Sequence, residues 1–264
     1  MAQIKVSWIV NGILVCLVLF VLFHQQTDNL PDANSFTDSP TKRMSHSRSA
    51  SGVPIADMHG DGRWDSMHAK LTRDADAGNT KPYVFAGDSL IQRWRDYASW
   101  DQSWDSQTVN LGIGGDRTEH ILWRLQNGEL TPTNPKVVVI MAGTNNHGVD
   151  AEDTIKGIKA IVNYIRTEKP SARIVVMALL PRGERPNRLR DKHQIINANL
   201  KDTYETDPTH AAAVYVLDIG HEFLTPDGGV PYNLMPDYLH MNAKGYDIWT
   251  YHLQNFLVHL KNTE

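Results

Sequence analysis

Cysteine is almost absent from this chain: its 264 residues contain only one, Cys16. A single cysteine excludes an internal disulfide and a cysteine-rich metal site, so the chain is neither a disulfide-stabilised small domain nor a zinc-finger protein. Positive charge is not in excess either, because the net charge is −4 and the pI is about 6.3. Proteins that bind nucleic acid usually carry a basic surface, and we therefore expect no nucleic-acid partner.

The histidines and glycines lack the spacing that would indicate a bound metal or dinucleotide. Six histidines follow no pattern typical of metal ligands and are interpreted as structural or surface residues: His68, His120, His147, His193, His221 and His252. The run Gly112-Ile113-Gly114-Gly115 does not complete the Gly-x-Gly-x-x-Gly motif of dinucleotide-binding loops.

Residues 6–23 form a long hydrophobic run at the N-terminus. These eighteen residues carry no charge. The run approaches the roughly 20 residues needed to cross a bilayer and exceeds the roughly 7–15 of a signal-peptide core. No small-x-small cleavage site follows, so residues 1–23 are predicted to form an uncleaved signal anchor, or transmembrane helix. Cleavage of a signal peptide, followed by secretion, is the alternative.

The residues flanking this run predict where the rest of the chain lies. Lys5 is on the short N-terminal side, and the positive-inside tendency then places the N-terminus in the cytoplasm. Residues 24–57 are polar and rich in serine, which is typical of a flexible tether. We therefore expect a globular domain, residues 58–264, held at the periplasmic side of the inner membrane.

Beyond residue 58, hydrophobic runs alternate with segments of helical periodicity. Five runs are typical of buried parallel strands: residues 83–86, 108–111, 137–141, 173–179 and 214–219. Helices are predicted at residues 63–76, 116–125 and 189–204, and also after Asp150 and after Asn242. Asp116 with Glu119, and Asp150 with Asp153, are predicted to cap the helices that begin there. This alternation predicts a three-layer α/β/α domain with a five-stranded parallel sheet, for which the flavodoxin-like order is 2-1-3-4-5.

Short polar motifs follow the first three predicted strands. Gly87-Asp88-Ser89 follows the first strand, Gly114-Gly115 the second, and Gly143-Thr144-Asn145 the third. In the order 2-1-3-4-5 these strands are neighbours, so their carboxyl ends bring the three motifs to one edge of the sheet. Each motif alone is common in turns, but their convergence predicts a functional site.

A fourth motif, Asp237-Tyr238-Leu239-His240, places a carboxylate and an imidazole three residues apart. A serine hydroxyl is a weak nucleophile that needs a base, and a histidine side chain suits that task near neutral pH. One helical turn would put Asp237 and His240 on the same side, where the carboxylate can orient the imidazole. We therefore predict Ser89 as the nucleophile, His240 as the base and Asp237 as the residue that orients the base.

An oxyanion formed by attack of Ser89 would need preorganised hydrogen-bond donors. The candidates are the backbone N–H groups of Ser89 and Gly115 and the side-chain amide of Asn145. Glycine at position 115 would let the backbone approach a substrate without a Cβ atom in the way.

Side chains adjacent to these catalytic groups predict a small substrate pocket. Leu90 follows the nucleophile, Leu239 precedes the base, and Thr144 precedes the oxyanion asparagine. If the three crowd the acyl group, they leave room for roughly two carbons. The alternative is that Leu90 and Leu239 point into the core.

The four motifs together resemble the four blocks of the SGNH (GDSL) hydrolase family. Longer strings, among them Leu179-Leu180-Pro181-Arg182-Gly183, resemble one branch of that family, the catalytic subunits of intracellular platelet-activating factor acetylhydrolases. The resemblance runs from about residue 60 to residue 260. It implies a flavodoxin-like serine esterase with no metal or organic cofactor, often a homodimer, in which Ser89, Gly115, Asn145, Asp237 and His240 take the roles given above.

The sequence therefore predicts a hydrolase that removes short acyl groups, mainly acetyl, from an acetylated glycan or a phospholipid-like ester. The predicted anchor and tether have no counterpart in the cytosolic acetylhydrolases, which leaves the alcohol part of the substrate open. A lysophospholipase or thioesterase with a longer acyl pocket is the alternative among enzymes. A non-catalytic binding module on the same fold is a further alternative, which the complete set of catalytic residues disfavours.

Overall fold

The computed structural model describes residues 62–206 and 213–262. The predicted anchor, residues 1–23, and the predicted tether, residues 24–57, lie outside the described residues. Both stay predictions, as does the periplasmic location that depends on them. Within the described residues, no helix combines the length and the apolar character needed to cross a bilayer.

Five parallel strands form the sheet at the centre of the described domain. They are β1 (Tyr83–Gly87), β2 (Thr108–Gly112), β3 (Val137–Met141), β4 (Arg173–Met177) and β5 (Val214–Leu217). Their order is β2-β1-β3-β4-β5, which confirms the predicted flavodoxin-like arrangement. At the carboxyl end, Gly87 of β1 pairs with Gly112 of β2 and with Met141 of β3, so three chain segments leave the sheet side by side.

The fourth strand ends earlier than its hydrophobic run predicts. β4 stops at Met177, although the run continues to Leu179. The reason is a change of partner: Leu179 donates its N–H to Asn197 Oδ1 at 2.8 Å and accepts from Asn197 Nδ2 at 2.9 Å. A side-chain amide on the following helix thus takes over the hydrogen bonds that a neighbouring strand would otherwise make.

Seven α-helices in the described residues accompany the sheet. They are α1 (Arg63–Ala77), α2 (Ser89–Gln92), α3 (Ala98–Ser103), α4 (Thr118–Arg124), α5 (Ala151–Glu168), α6 (Arg188–Thr206) and α7 (Ala243–Asn262). Helix α5 contacts both α4 and α6, whereas α3 contacts α7. Right-handed crossovers between parallel strands place these two groups on opposite faces of the sheet, which gives the predicted three layers.

The two predicted helix caps have different outcomes. Asp150 caps α5 as predicted, because its Oδ1 accepts the N–H of Asp153 at 2.9 Å. Asp116 does not cap α4, so that prediction is wrong. Its carboxylate instead accepts from Trp64 Nε1 at 2.8 Å and from Arg124 Nε at 2.7 Å. The N-terminus of α4 has another acceptor, because Asn146 Oδ1 accepts the N–H of Thr118 at 3.1 Å, whereas a buried guanidinium without a partner would be costly.

A cluster of aromatic side chains joins β1 to α7. Phe85 of β1 lies 5.1 Å from Trp104 and 5.6 Å from Trp94 between ring centroids. Trp249 of α7 stacks on Trp94 at 4.7 Å. Burial of large rings contributes much of the stability of a core. The cluster therefore holds α7, and the turn immediately before it, against the strand that precedes Ser89.

Replacing Trp249 by alanine is expected to lower the free energy of unfolding by about 3–5 kcal/mol, because a large buried ring leaves a cavity when it is removed. Trp249 is fully buried, whereas Tyr251 in the same helix is 64% exposed. Tyr251→Ala is therefore the matched control, with an expected change below about 0.5 kcal/mol. Chemical denaturation measures both, and equal losses would contradict the packing described here.

Candidate active site

Ser89 is the first residue of α2, directly after the end of β1. Asp88 caps this helix, since its Oδ1 accepts the N–H of Leu90 at 2.9 Å. The turn is compressed against the end of β2: a Cβ atom on Gly112 would lie 2.2 Å from the backbone nitrogen of Gln92. Glycine at 112 therefore allows α2, which begins at Ser89, to pass close to the neighbouring strand.

The structure brings Ser89, His240 and Asp237 together. Ser89 Oγ lies 2.9 Å from His240 Nε2, and His240 Nδ1 lies 2.7 Å from Asp237 Oδ2. The serine and the histidine are 151 positions apart in the chain. Partial burial favours a higher pKa for Asp237, but the hydrogen bonds from the ring and backbone of His240 outweigh it and lower that pKa below its ordinary value. The carboxylate is therefore ionised at neutral pH, as a group that orients an imidazole should be.

The segment that carries Asp237 and His240 is a turn and not the helical turn that the spacing suggested. Asp237 Oδ1 accepts the N–H of Leu239 at 3.1 Å and that of His240 at 2.6 Å. Tyr238 between them has φ of 57°, and it is the sole non-glycine residue of the described segments with positive φ. Such a conformation costs about 1–2 kcal/mol. The Asp237 hydrogen bonds, and the bond from the N–H of Gly183 to the Tyr238 carbonyl at 2.7 Å, offset that cost.

The three predicted oxyanion donors come from three adjacent loops. Gly115 is exposed and has φ of 88°, while a Cβ atom there would meet nothing within 4 Å. Glycine at 115 is thus required by its backbone conformation and not by crowding from the protein. Within the described residues, the N–H groups of Ser89 and Gly115 have no protein acceptor. Asn145 Nδ2 donates to the Asp116 carbonyl at 2.9 Å, and its second N–H stays available.

The residues predicted to crowd the acyl group occupy three different environments. Leu90 is part of the hydrophobic core, as the alternative interpretation expected. Thr144 is buried, and its carbonyl accepts from Arg182 Nη1 at 2.7 Å. Leu239 is half-buried beside His240. A role in acyl selection stays a prediction for all three residues.

Asp88 is a fully buried carboxyl group next to Ser89 in the chain. Its Oδ2 has no hydrogen-bond partner among the described residues. Burial raises the pKa of Asp88 to about 7, opposed in part by the hydrogen bond from Leu90. The side chain therefore holds its proton over most of the pH range below neutrality.

Two residues near the site were not singled out by the sequence. Gln92 accepts the N–H of Gly114 at 2.7 Å through Oε1, which fastens the Gly114-Gly115 loop to α2. Arg124 is completely buried below the same loop. Arg124 lies one turn after Ile121, on the apolar face of α4. A charged residue on the apolar face of a predicted helix could have indicated from the sequence that this side chain is buried with a partner.

No three histidine, cysteine, aspartate or glutamate side chains in residues 62–206 and 213–262 are grouped so as to hold a metal ion. The site instead brings together a serine hydroxyl, an imidazole and a carboxylate. Their arrangement at the carboxyl edge of a flavodoxin-like sheet is the geometry expected for acyl transfer.

Comparison with known proteins places this geometry in a family. The model of the GDSL-like lipase/acylhydrolase family matches residues 85–248. The alpha1 subunit of platelet-activating factor acetylhydrolase IB from Pongo abelii is 43% identical over 196 residues, which cover 74% of this chain and 82% of the relative. The alpha2 subunit from Gallus gallus is 42% identical over 208 residues, with coverage of 77% and 88%.

A solved structure shares the same architecture. A GDSL-like lipase from Bacteroides thetaiotaomicron superposes with a TM-score of 0.60 at 18% identity, covering 75% of this chain and 97% of that protein. The chain is thus an ester hydrolase built on a three-layer α/β fold. It belongs to the GDSL-like lipase/acylhydrolase family.

Asp88→Asn is expected to gain stability relative to the unchanged protein as the pH rises from 5 to 8. The unfolded carboxyl is ionised by pH 5, whereas the pKa of about 7 keeps the folded one protonated. The unchanged protein therefore loses stability over this window, by on the order of 2 kcal/mol. Asparagine cannot ionise and keeps an acceptor for Leu90. Urea unfolding at several pH values measures the difference, and a constant difference would show that Asp88 is already charged at pH 5.

Proposed function

We propose that this ester hydrolase removes short acyl groups, mainly acetyl, through an acyl-enzyme formed on Ser89. The observation that carries the proposal is the continuous pair of contacts, 2.9 Å from Ser89 Oγ to His240 Nε2 and 2.7 Å from His240 Nδ1 to Asp237. These distances are within the range of functional hydrogen bonds between a nucleophile, its base and the orienting group.

The proposed reaction follows from these contacts. His240 Nε2 takes the proton of Ser89 Oγ as the oxygen attacks the ester carbonyl, and the ionised Asp237 stabilises the imidazolium. The N–H groups of Ser89 and Gly115 and the free N–H of Asn145 receive the oxyanion. His240 then returns the proton to the departing alkoxide. Water, activated by the same histidine, releases the acid and restores the serine.

The nature of the acyl and alcohol groups is proposed from the relatives and from the site. Relatives named platelet-activating factor acetylhydrolase subunits, 43% and 42% identical to this chain, favour acetyl as the acyl group. For the alcohol we propose either an acetylated glycan or a phospholipid-like ester. A homodimer is proposed on the same likeness.

Ser89→Ala and His240→Ala are each expected to lower kcat by at least about 10⁴-fold while leaving the fold intact, because nucleophile and base act as a unit. Asp237→Asn should cost less, since the imidazole stays in place but can adopt the wrong tautomer. Ser99→Ala is the matched control: Ser99 is equally a buried serine, yet its hydroxyl has no partner among the described residues.

Hydrolysis of p-nitrophenyl acetate measures these effects, and a fluorophosphonate probe reports on the same serine independently. Labelling should occur in the unchanged protein and in Ser99→Ala but not in Ser89→Ala. Near-full esterase activity in Ser89→Ala would falsify the assignment of the nucleophile.

Acyl preference is tested with p-nitrophenyl esters from acetate to octanoate, for which we expect a maximum at acetate. Leu239→Ala should extend activity toward longer chains, because each methylene that is accommodated adds about 1 kcal/mol of transition-state binding. Leu90→Ala is compared in parallel, and its main expected effect is lower stability, because Leu90 is part of the core. A maximum at hexanoate or longer in the unchanged protein would favour a lysophospholipase or thioesterase instead.

A further inference from the structure

A single buried guanidinium lies below the predicted oxyanion site. Arg124 at the end of α4 is 0% exposed. Its Nε donates to Asp116 Oδ2 at 2.7 Å, and its Nη1 donates to Glu129 Oε2. Burial by itself disfavours the charged form, but the two carboxylates outweigh it and raise the pKa of Arg124 above its ordinary value. The side chain is therefore a permanent cation inside the protein.

The remaining donor of Arg124 connects two strand ends. Its Nη2 donates to the Gly87 carbonyl at 3.2 Å and to the Leu111 carbonyl at 3.1 Å. Gly87 is the last residue of β1, two positions before Ser89, and Leu111 is the penultimate residue of β2, after which the chain continues into the loop that carries Gly115. One cation thus fixes the strand ends that supply two of the three predicted oxyanion donors.

Asp116 extends this connection to the third donor. Its carboxylate is held on both oxygens, by Arg124 Nε and by Trp64 Nε1 at 2.8 Å. Its backbone carbonyl accepts from Asn145 Nδ2 at 2.9 Å. A carbonyl oxygen can only accept, so this contact turns the nitrogen of the Asn145 amide toward Asp116 and determines where the second N–H points.

We propose that Arg124 and Asp116 are positioning residues that align the oxyanion donors, with Asp116 acting mainly through Asn145. The proposal rests on the proposed function, since it assigns a task to residues around the same site. Neither residue touches the substrate. Catalysis by preorganised donors requires that the donors are held in position before the negative charge develops. A buried ion pair can hold them in this way.

A purely structural role for this ion pair leads to a different expectation. Buried ion pairs often contribute little net stability, and their loss leaves an uncompensated charge wherever they occur. If Asp116 merely supported the fold, its substitution would lower activity by the same factor whether or not Asn145 is present. If Asp116 acts through Asn145, the effect should disappear once the amide is gone.

The test is a double-mutant cycle on kcat and KM for p-nitrophenyl acetate. Asn145→Ala should lower kcat by about 10²–10³-fold. Asp116→Asn should lower kcat by about 10-fold or more with KM nearly unchanged, because the donors act on the transition state. In the Asn145→Ala background, Asp116→Asn should cost less than about 3-fold. Equal losses in both backgrounds would overturn the proposal.

Two further variants keep the result interpretable. Trp64→Phe removes only one of the bonds that hold the Asp116 carboxylate, so it replaces Asp116→Asn in the cycle if the latter does not fold. Leu200→Ala, in the buried core of α6, destabilises the protein without a contact to this network and should change kcat by the same factor in both backgrounds. If Leu200→Ala shows the non-additive pattern as well, the cycle reports instability and the proposal is wrong.

The same assay separates this proposal from the one on which it depends. Activity retained in Ser89→Ala would refute the proposed function, whatever the cycle gives. Loss of activity in Ser89→Ala combined with an additive cycle would refute only the positioning role of Asp116.

Discussion

The position of β1 between β2 and β3 is the constraint on which the site depends. Parallel strands require crossover connections, and the carboxyl ends of all strands then lie at one edge. The loops after β1, β2 and β3 therefore leave the sheet side by side, carrying Ser89, Gly115 and Asn145. The three predicted oxyanion donors converge from three separate loops because the strands that precede them are hydrogen-bonded neighbours.

The fourth loop reaches this edge by a different route. His240 is 151 positions from Ser89 and belongs to no strand of the sheet. It precedes α7, which the aromatic cluster around Trp249 and Trp94 holds against β1. Tyr246 of α7 also donates its hydroxyl to the Leu90 carbonyl at 2.8 Å, which joins the last helix to α2. The distance between His240 and Ser89 is thus set by core packing as much as by local turns.

Three departures from the ordinary rules of folding lie at or near the same edge. Asp88 is a buried carboxyl group with an unpartnered oxygen, Arg124 is a buried cation, and Tyr238 has a left-handed backbone. Each of these would be unfavourable in an ordinary core or loop. Proteins tend to keep such features where they serve function, and regular packing elsewhere compensates for them.

Local patterns in the chain were enough to predict most of the secondary structure. Hydrophobic runs predicted all five strands, and the flavodoxin-like fold inferred from their alternation with helices supplied the strand order. Helical periodicity predicted α1 to within one residue of its end, and Asp150 was correctly identified as a cap. The partners of the buried polar groups, in contrast, depend on the folded arrangement of the chain. The side chain of Asp116 binds Arg124 and does not cap the helix as predicted. The side chain of Asp237 accepts the N–H groups of Leu239 and His240, which stabilises a turn at Tyr238 where a helical turn was expected. The physical reason is that periodicity depends on neighbours in the chain, whereas the partner of a buried charge or a strained turn depends on residues brought close by folding.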